Sequence, residues 1–218
     1  MIKNNIRRES YLKFLNTWKN RDLIKVLSGV RRSGKSTLLA MSQQDLKEQG
    51  VQDENIIAIN FEYMEFEELT DYRKLHDYVL SKVDKNKKNY VFLDEIQHVQ
   101  NFEKVVDSLY IRDYIDLYIT GSNAFFLSGE LATLLTGRYI EQHVLPLSFQ
   151  EFKQWHTENN PTIQQLSNRD LYAMYTRSSF PYTLAMTNQQ ETYDYLQAVY
   201  ASVMFKDERW IRKFEQQL

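Results

Sequence analysis

The sequence predicts an α/β fold, a parallel sheet with helices on both faces, followed by a segment made only of helices. Three observations carry this. Short, nearly continuous apolar runs alternate with stretches of helical pattern. One run leads directly into a glycine-rich turn that opens a helix. Beyond Pro146 the apolar runs stop while helical patterns continue. Alternating strand and helix implies parallel pairing, because each crossover helix returns the chain to the same end of the sheet. Runs that are apolar at successive positions are what strands buried on both faces show.

The pattern opens with a helix over Arg8–Lys19 and a strand over Leu23–Leu27. The turn after that strand reads Gly29-Val-Arg-Arg-Ser-Gly34-Lys35-Ser36, and Thr37–Gln49 then supplies good helix formers up to Gly50, a natural C-cap. A second strand spans Asn55–Phe61. The acidic, aromatic stretch Phe61–Glu68 reads as a loop, and Tyr72–Val83 as a helix. The basic turn Asp84–Asn89 is a solvated connection to a strand over Tyr90–Leu93. The helix Phe102–Tyr110, a strand over Asp116–Thr120 and a last strand over Tyr139–Leu145, ended by Pro146, complete the sheet. In Ser148-Phe-Gln-Glu-Phe, Glu151 stands three residues after Ser148, a capping box that starts a helix. Helical patterns follow at Asn168–Arg177 and Glu191–Phe205. The expected organisation is a core over 1–146 and a helical lid over 147–218, without internal repeats. The helix-compatible pattern reaches Leu218 with no stop signal, as in a fragment of a longer protein.

Composition narrows the partners. Hydrophobic residues make up 43%, with 12 Phe and 15 Tyr, enough for a substantial core. With 27 basic against 29 acidic residues, the net charge of −2 provides no global basic field for nucleic acid. The lack of cysteine excludes disulfides and thiolate-held metals. No apolar run reaches membrane-spanning length and the start is too polar for a signal peptide, so a soluble cytoplasmic protein with no membrane partner is expected. His76, His98, His143 and His156 lack metal-ligand spacing.

The turn after the first strand carries the chemistry. G-x-x-x-x-G-K-S is a phosphate-binding pattern: Gly29 and Gly34 let the backbone aim consecutive N–H groups at phosphate oxygens. Lys35 reaches the β- and γ-phosphates, the Ser36 hydroxyl ligates Mg²⁺, and the helix starting near Thr37 adds its positive end. Val30, Arg31, Arg32 and Ser33 fill the variable positions; the arginines read equally as contacts to nucleotide or partner and as solvent-facing charge. Such a pattern arises by chance in about one chain of this length per hundred, so its strand–loop–helix context is what gives it weight.

A second cluster lies some way on. Tyr90-Val-Phe-Leu-Asp94-Glu95 is a buried-strand run that delivers two carboxylates to the end of the sheet. There Asp94 would hold Mg²⁺ through water, and Glu95 would act as general base toward an attacking water. Ser122, after the next strand, fits a sensor of the γ-phosphate and equally a helix N-cap. Arg138, after Gly137, fits an arginine that offsets phosphoryl charge, although spacing alone favours a structural ion pair.

Taken in order, Gly29–Leu39, Val91–Gln97, Ile119–Ser122, Gly137–Tyr139 and Pro146–Phe152 resemble the AAA-type predicted ATPases of bacteria and archaea, which usually carry a C-terminal domain of unknown function. The resemblance covers about residues 6–206. It implies a P-loop NTPase with strand order 5-1-4-3-2. Asp94 and Glu95 match the Walker B pair, Ser122 the first sensor and Arg138 the motif's arginine. It also implies ATP as the nucleotide, in line with the lack of an N/T-K-x-D guanine-reading pattern. Two departures stand out. Ser178-Ser179-Phe180-Pro181 replaces the family's Gly-Gly before Phe/Met-Pro, and the usual second domain is not within these residues. The function expected is Mg²⁺-dependent ATP hydrolysis, with ADP as product, coupled to conformational change or rearrangement of a homo-oligomer. The alternative is a nucleotide-gated binding module or switch with little turnover, acting on nucleic acid through the missing domain. The cellular process is not written in the sequence.

Overall fold

The computed structural model describes residues 6–121, 135–159, 166–186 and 188–201. They form two compact units. The first joins Arg7–Val30 to Lys35–Val144; the second takes the chain from Leu145 onward together with Ile6 and Arg31–Gly34.

The first unit opens with α1 (Glu9–Trp18) and β1 (Ile24–Ser28), continues through α2 (Lys35–Glu48), β2 (Ile56–Asn60), α3 (Tyr72–Lys82), β3 (Asn89–Asp94) and α4 (Phe102–Tyr110), and closes with β4 (Ile115–Thr120) and β5 (Tyr139–His143). All five strands pair in parallel in the order β2-β3-β4-β1-β5, which is 5-1-4-3-2 read from the other edge. This is the P-loop NTPase arrangement that the resemblance implies. The three central strands are buried along their whole length, whereas the edge strands β2 and β5 are partly exposed.

Side chains alternate across the sheet as the pleat requires. Val91 and Leu93, with Leu117 and Ile119, face the core that also holds Leu75, Val79, Val105 and Leu109 of α3 and α4. Tyr90, Phe92 and Tyr118 face the opposite core, formed with Leu12 and Leu15 of α1 and Leu38 and Leu39 of α2. There the Phe92 and Tyr118 rings stack at 4.6 Å. Gly50 ends α2 at φ 89, where Val51 N–H donates to Leu46 O and Gly50 N–H to Lys47 O, a Schellman closure. The stretch read as a loop after β2 contains 3-10 turns over Met64–Thr70, tied by the Thr70 hydroxyl to Glu67 O at 2.7 Å. β3 starts one residue earlier than its apolar run because the buried Asn89 amide donates to three carbonyls, those of Asp84, Lys87 and Tyr114.

The second unit is helical. It holds α5 (Phe149–Asn159), α6 (Asn168–Tyr175), a 3-10 turn over Pro181–Ala185 and a helix α7 described over 189–201. Leu147, Phe152, Trp155 and Leu184 form its core, with Ile6, Met174 and Tyr175 packed around them. Ser148 and Glu151 form the reciprocal cap at the start of α5, and Ser167 and Asp170 form a second one at α6. Among the described residues no helix is long and apolar enough to cross a membrane.

Candidate functional site

Register sets which groups can meet. Leu27 lies opposite Thr120, and Asn60 opposite Asp94, so β1, β2, β3 and β4 end together at their carboxyl ends. The chain leaves β1 through Gly29, at φ 143, with Val144 backbone so close that an added Cβ would sit 2.3 Å from its carbonyl oxygen. Arg32 at φ 68 and Gly34 at φ 101 are also left-handed. Three of six consecutive residues thus take positive φ, a backbone of the kind that anion-binding loops use.

Lys35 is the first residue of α2 and is buried, 3% exposed. Its ammonium donates to Gly29 O at 3.1 Å and Val30 O at 3.4 Å, and stands 3.6 Å from Glu95 Oε1. The tip of the loop groups with the helical unit. There the Arg32 guanidinium lies 5.6 Å from the centre of the Tyr195 ring, and a Cβ on Gly34 would meet Pro181 Cγ at 3.8 Å. Pro181 belongs to the Ser-Ser-Phe-Pro turn that departs from the resembling family. Ser33 is buried, while Arg31 and Ser36 are exposed and Thr37 is half-buried.

At the end of β3, Asp94 is buried and clasped from both neighbouring strands. The Asn60 amide donates to one carboxylate oxygen at 2.8 Å and the Thr120 hydroxyl to the other. Burial raises the pKa of Asp94; the hydroxyls of Thr120 and Ser36 oppose that rise, nearby Glu95 adds to it and Lys35 opposes it. Thr120 Oγ1 also accepts the Glu95 N–H at 2.9 Å, so one hydroxyl holds both acidic residues. Glu95 itself adopts a left-handed backbone, φ 57 and ψ 48, and its carboxylate accepts from the Gln97 amide. Lys35, Ser36, Asp94 and Glu95 are thus brought together by the ends of two central strands.

Ser122 lies outside the described residues. Arg138 is engaged elsewhere: its guanidinium pairs with Asp107 and lies 5.8 Å from the Tyr110 ring centre, both on α4. Sequence reasoning passed over Asn60, Gln97 and Thr120 as site residues. The available signal was a polar residue closing an apolar strand, which marks Asn60 and Thr120 alike; for Gln97 it was only the spacing after Glu95.

The site's donors fit a magnesium ion. One hydroxyl and one carboxylate at hydrogen-bond reach are what Mg²⁺ takes from a protein when phosphate and water supply its other ligands. Among the described residues no group of three or more acidic, histidine or cysteine side chains would hold a metal by itself.

A family model described as AAA domain matches residues 21–153. The chain is 40% identical over 209 residues to an uncharacterized protein of Haemophilus influenzae, covering 95% of this chain and 51% of that one. It is 38% identical over 142 residues to an uncharacterized protein of Methanocaldococcus jannaschii, covering 62% of this chain and 29% of the other. The chain therefore spans about half, or less, of the curated relatives it matches. Among solved structures, a Walker-type ATPase of Pyrococcus abyssi aligns with a TM-score of 0.60 at 15% identity, over 97% of this chain and 77% of that one. DnaA from Aquifex aeolicus bound to AMPPCP aligns with a TM-score of 0.53 at 13% identity, over 91% and 63%. At such identities these two speak for the fold alone.

Proposed function

The chain belongs to the AAA domain family, and from that premise we propose that it binds ATP and hydrolyses it to ADP and phosphate. The observation that carries this is the convergence of the Lys35 ammonium and the two carboxylates, Asp94 and Glu95, at strand ends beside a loop of positive φ. The loop's N–H groups and Lys35 bind the phosphates, and Lys35 exchanges its contact with Glu95 for the β- and γ-oxygens. Ser36 and Asp94 are the residues that would hold Mg²⁺, which when bound offsets charge on the phosphates. Glu95 takes a proton from the attacking water as its oxygen bonds to the γ-phosphorus and the bond to the bridging oxygen breaks, leaving ADP. Thr120 keeps the base and the metal-holding acid in register through its two hydrogen bonds.

Lys35→Ala should abolish binding of Mg-ATP in a calorimetric titration. Glu95→Gln should bind as the parent does and turn over about 10²–10⁴-fold more slowly, the span of general-base contributions. Hydrolysis by Glu95→Gln at the parental rate would remove the base from this scheme, and no heat on titrating the parent would remove the nucleotide.

A second reading, a nucleotide-gated switch with little turnover, is favoured by the engagement of Arg138 with Asp107 and Tyr110. In that reading a neighbouring copy in a homo-oligomer supplies the arginine, and any nucleic-acid partner is met outside these residues. In a Mg-ATP turnover assay, a rate that stays negligible at every protein concentration selects the switch; specific activity that climbs with concentration supports an arginine supplied in trans, and a flat, substantial rate selects the self-sufficient enzyme.

A further inference from the structure

The carboxylate of Glu95 is held from two sides. Lys35 stands 3.6 Å from Oε1, and the side-chain amide of Gln97 donates to Oε2. The donor has to be the NH₂ end, since the opposite assignment would set a carbonyl oxygen against a carboxylate. The other end of the amide is unusual: Gln97 Oε1 is buried and has no hydrogen-bond partner among the described residues. A buried acceptor without a partner costs stability, and a methionine would fill the same space without that cost. Packing alone therefore does not account for a glutamine here.

The backbone explains how the amide reaches the carboxylate. Glu95 turns left-handed, which swings the chain into the short turn Ile96–His98 and brings residue 97 back over residue 95. Fully buried Ile96 anchors that turn, His98 N–H donates to Glu95 O at 3.2 Å, and Val99 N–H donates to Ile96 O at 2.9 Å. On the other side the Glu95 N–H is fixed on Thr120 at 2.9 Å. Gln97 is thus carried on a rigid turn whose geometry sets one contact.

We propose that Gln97 is a positioning residue that holds the Glu95 carboxylate in the orientation from which it takes the proton of the attacking water. The inference rests on the hydrolytic reading above. A carboxylate with one free rotor spends much of its time pointing elsewhere; a fixed donor on one oxygen leaves the other aimed. The amide acts while Lys35 is occupied by phosphate, when the ammonium no longer steadies Glu95.

The test is Gln97→Met in the full chain, which keeps length and volume and removes the donor. Affinity for Mg²⁺ with a non-hydrolysable ATP analogue should stay within about twofold, while kcat falls about 10- to 100-fold, the span of one hydrogen bond to a charged group. A Gln97→Met chain with parental kcat, or one that loses nucleotide affinity along with kcat, overturns the proposal, because glutamine would then be inert or merely structural. A second measurement needs no turnover. The side-chain amide signals of Gln97, identified by their absence from the Gln97→Met NMR spectrum, should move when Glu95 is replaced by alanine; signals that stay in place overturn the proposal. A parent with no turnover removes the hydrolytic reading itself, and the amide signals then decide the Gln97–Glu95 contact separately.

Discussion

At the end of β3 the Asp94 carboxylate is buried, with hydrogen bonds from Asn60, Thr120 and Ser36. Burial still raises its pKa, so the charged form is the costly one in the fold. A carboxyl group whose folded pKa is raised subtracts stability as pH climbs from the ordinary carboxylate range through the folded value, and the cost is complete above that value. Asp94→Asn keeps the shape and most of the hydrogen bonds while removing the charge. Its melting temperature at pH 7 should exceed the parent's by a few degrees, roughly what 1 kcal/mol gives a chain of this size, while the extra stabilisation by Mg-ATP is lost. Thermal scans with and without Mg-ATP check both halves; a variant that melts below the parent would show that the hydrogen bonds outweigh the charge. Asp94 and Glu95 were legible in the sequence because two acids close an apolar run. Thr120 was not, since Thr-Gly-Ser-Asn offers several polar candidates and only the pairing of Leu93 with Ile119 turns Thr120 toward Asp94.

Among the elements, β1 and β5 show how a loop residue serves two neighbours. Ser28 O accepts the Val144 N–H at 2.7 Å, and Gly29 continues past Val144 at φ 143 with no room for a side chain. Gly137 offers the contrast, at φ 76 with nothing within 4 Å of an added Cβ. Gly137→Ala should therefore cost only the strain of left-handed backbone, about 1 kcal/mol. Gly29→Ala adds a clash with main chain, which cannot swing aside, and should cost roughly 2–5 kcal/mol. Urea unfolding of the two variants beside the parent measures the difference, and equal losses would refute the close approach. The motif pointed to Gly29 for its phosphate-facing backbone. Its contact with Val144 depends on β5 lying beside β1, an adjacency that the family resemblance implies but that no local pattern supplies. Helix ends were easier, because caps are local: Ser148 with Glu151 was readable, and Ser167 with Asp170 follows the same logic with a shorter acid.

Across the whole chain, the sheet carries buried charge near both ends of its strands, and only one end belongs to the candidate site. Toward the amino ends of β1 and β4, Lys25 and Asp116 form an ion pair at 0% and 1% side-chain exposure. Asp116 also accepts from the Tyr118 hydroxyl at 2.7 Å and from Asn20 N–H at 3.0 Å, and Lys25 donates to Arg21 O at 3.0 Å. A lone charged residue in each of two apolar runs shows no partner by local pattern; the register of β1 against β4, strands that the implied order already sets side by side, supplies it. Burial lowers the pKa of Lys25 even with Asp116 beside it, so the pair holds its ammonium at a cost. Removing only the acid, as in Asp116→Leu, strands that ammonium and should cost about 3–5 kcal/mol. Adding Lys25→Met removes the stranded charge and should recover more than half of the loss; the remainder belongs to the Tyr118 hydroxyl and the Asn20 N–H left without their acceptor. Because Lys35, Asp94 and Glu95 stand at the carboxyl ends of the strands, the folded double variant should bind Mg-ATP with parental affinity. Urea titrations of the two single variants and the double one close the cycle, and calorimetry on the double one reads the affinity. Additive losses would mean that the two charges do not depend on each other, and a weakened affinity would mean that the two ends of the sheet are energetically linked.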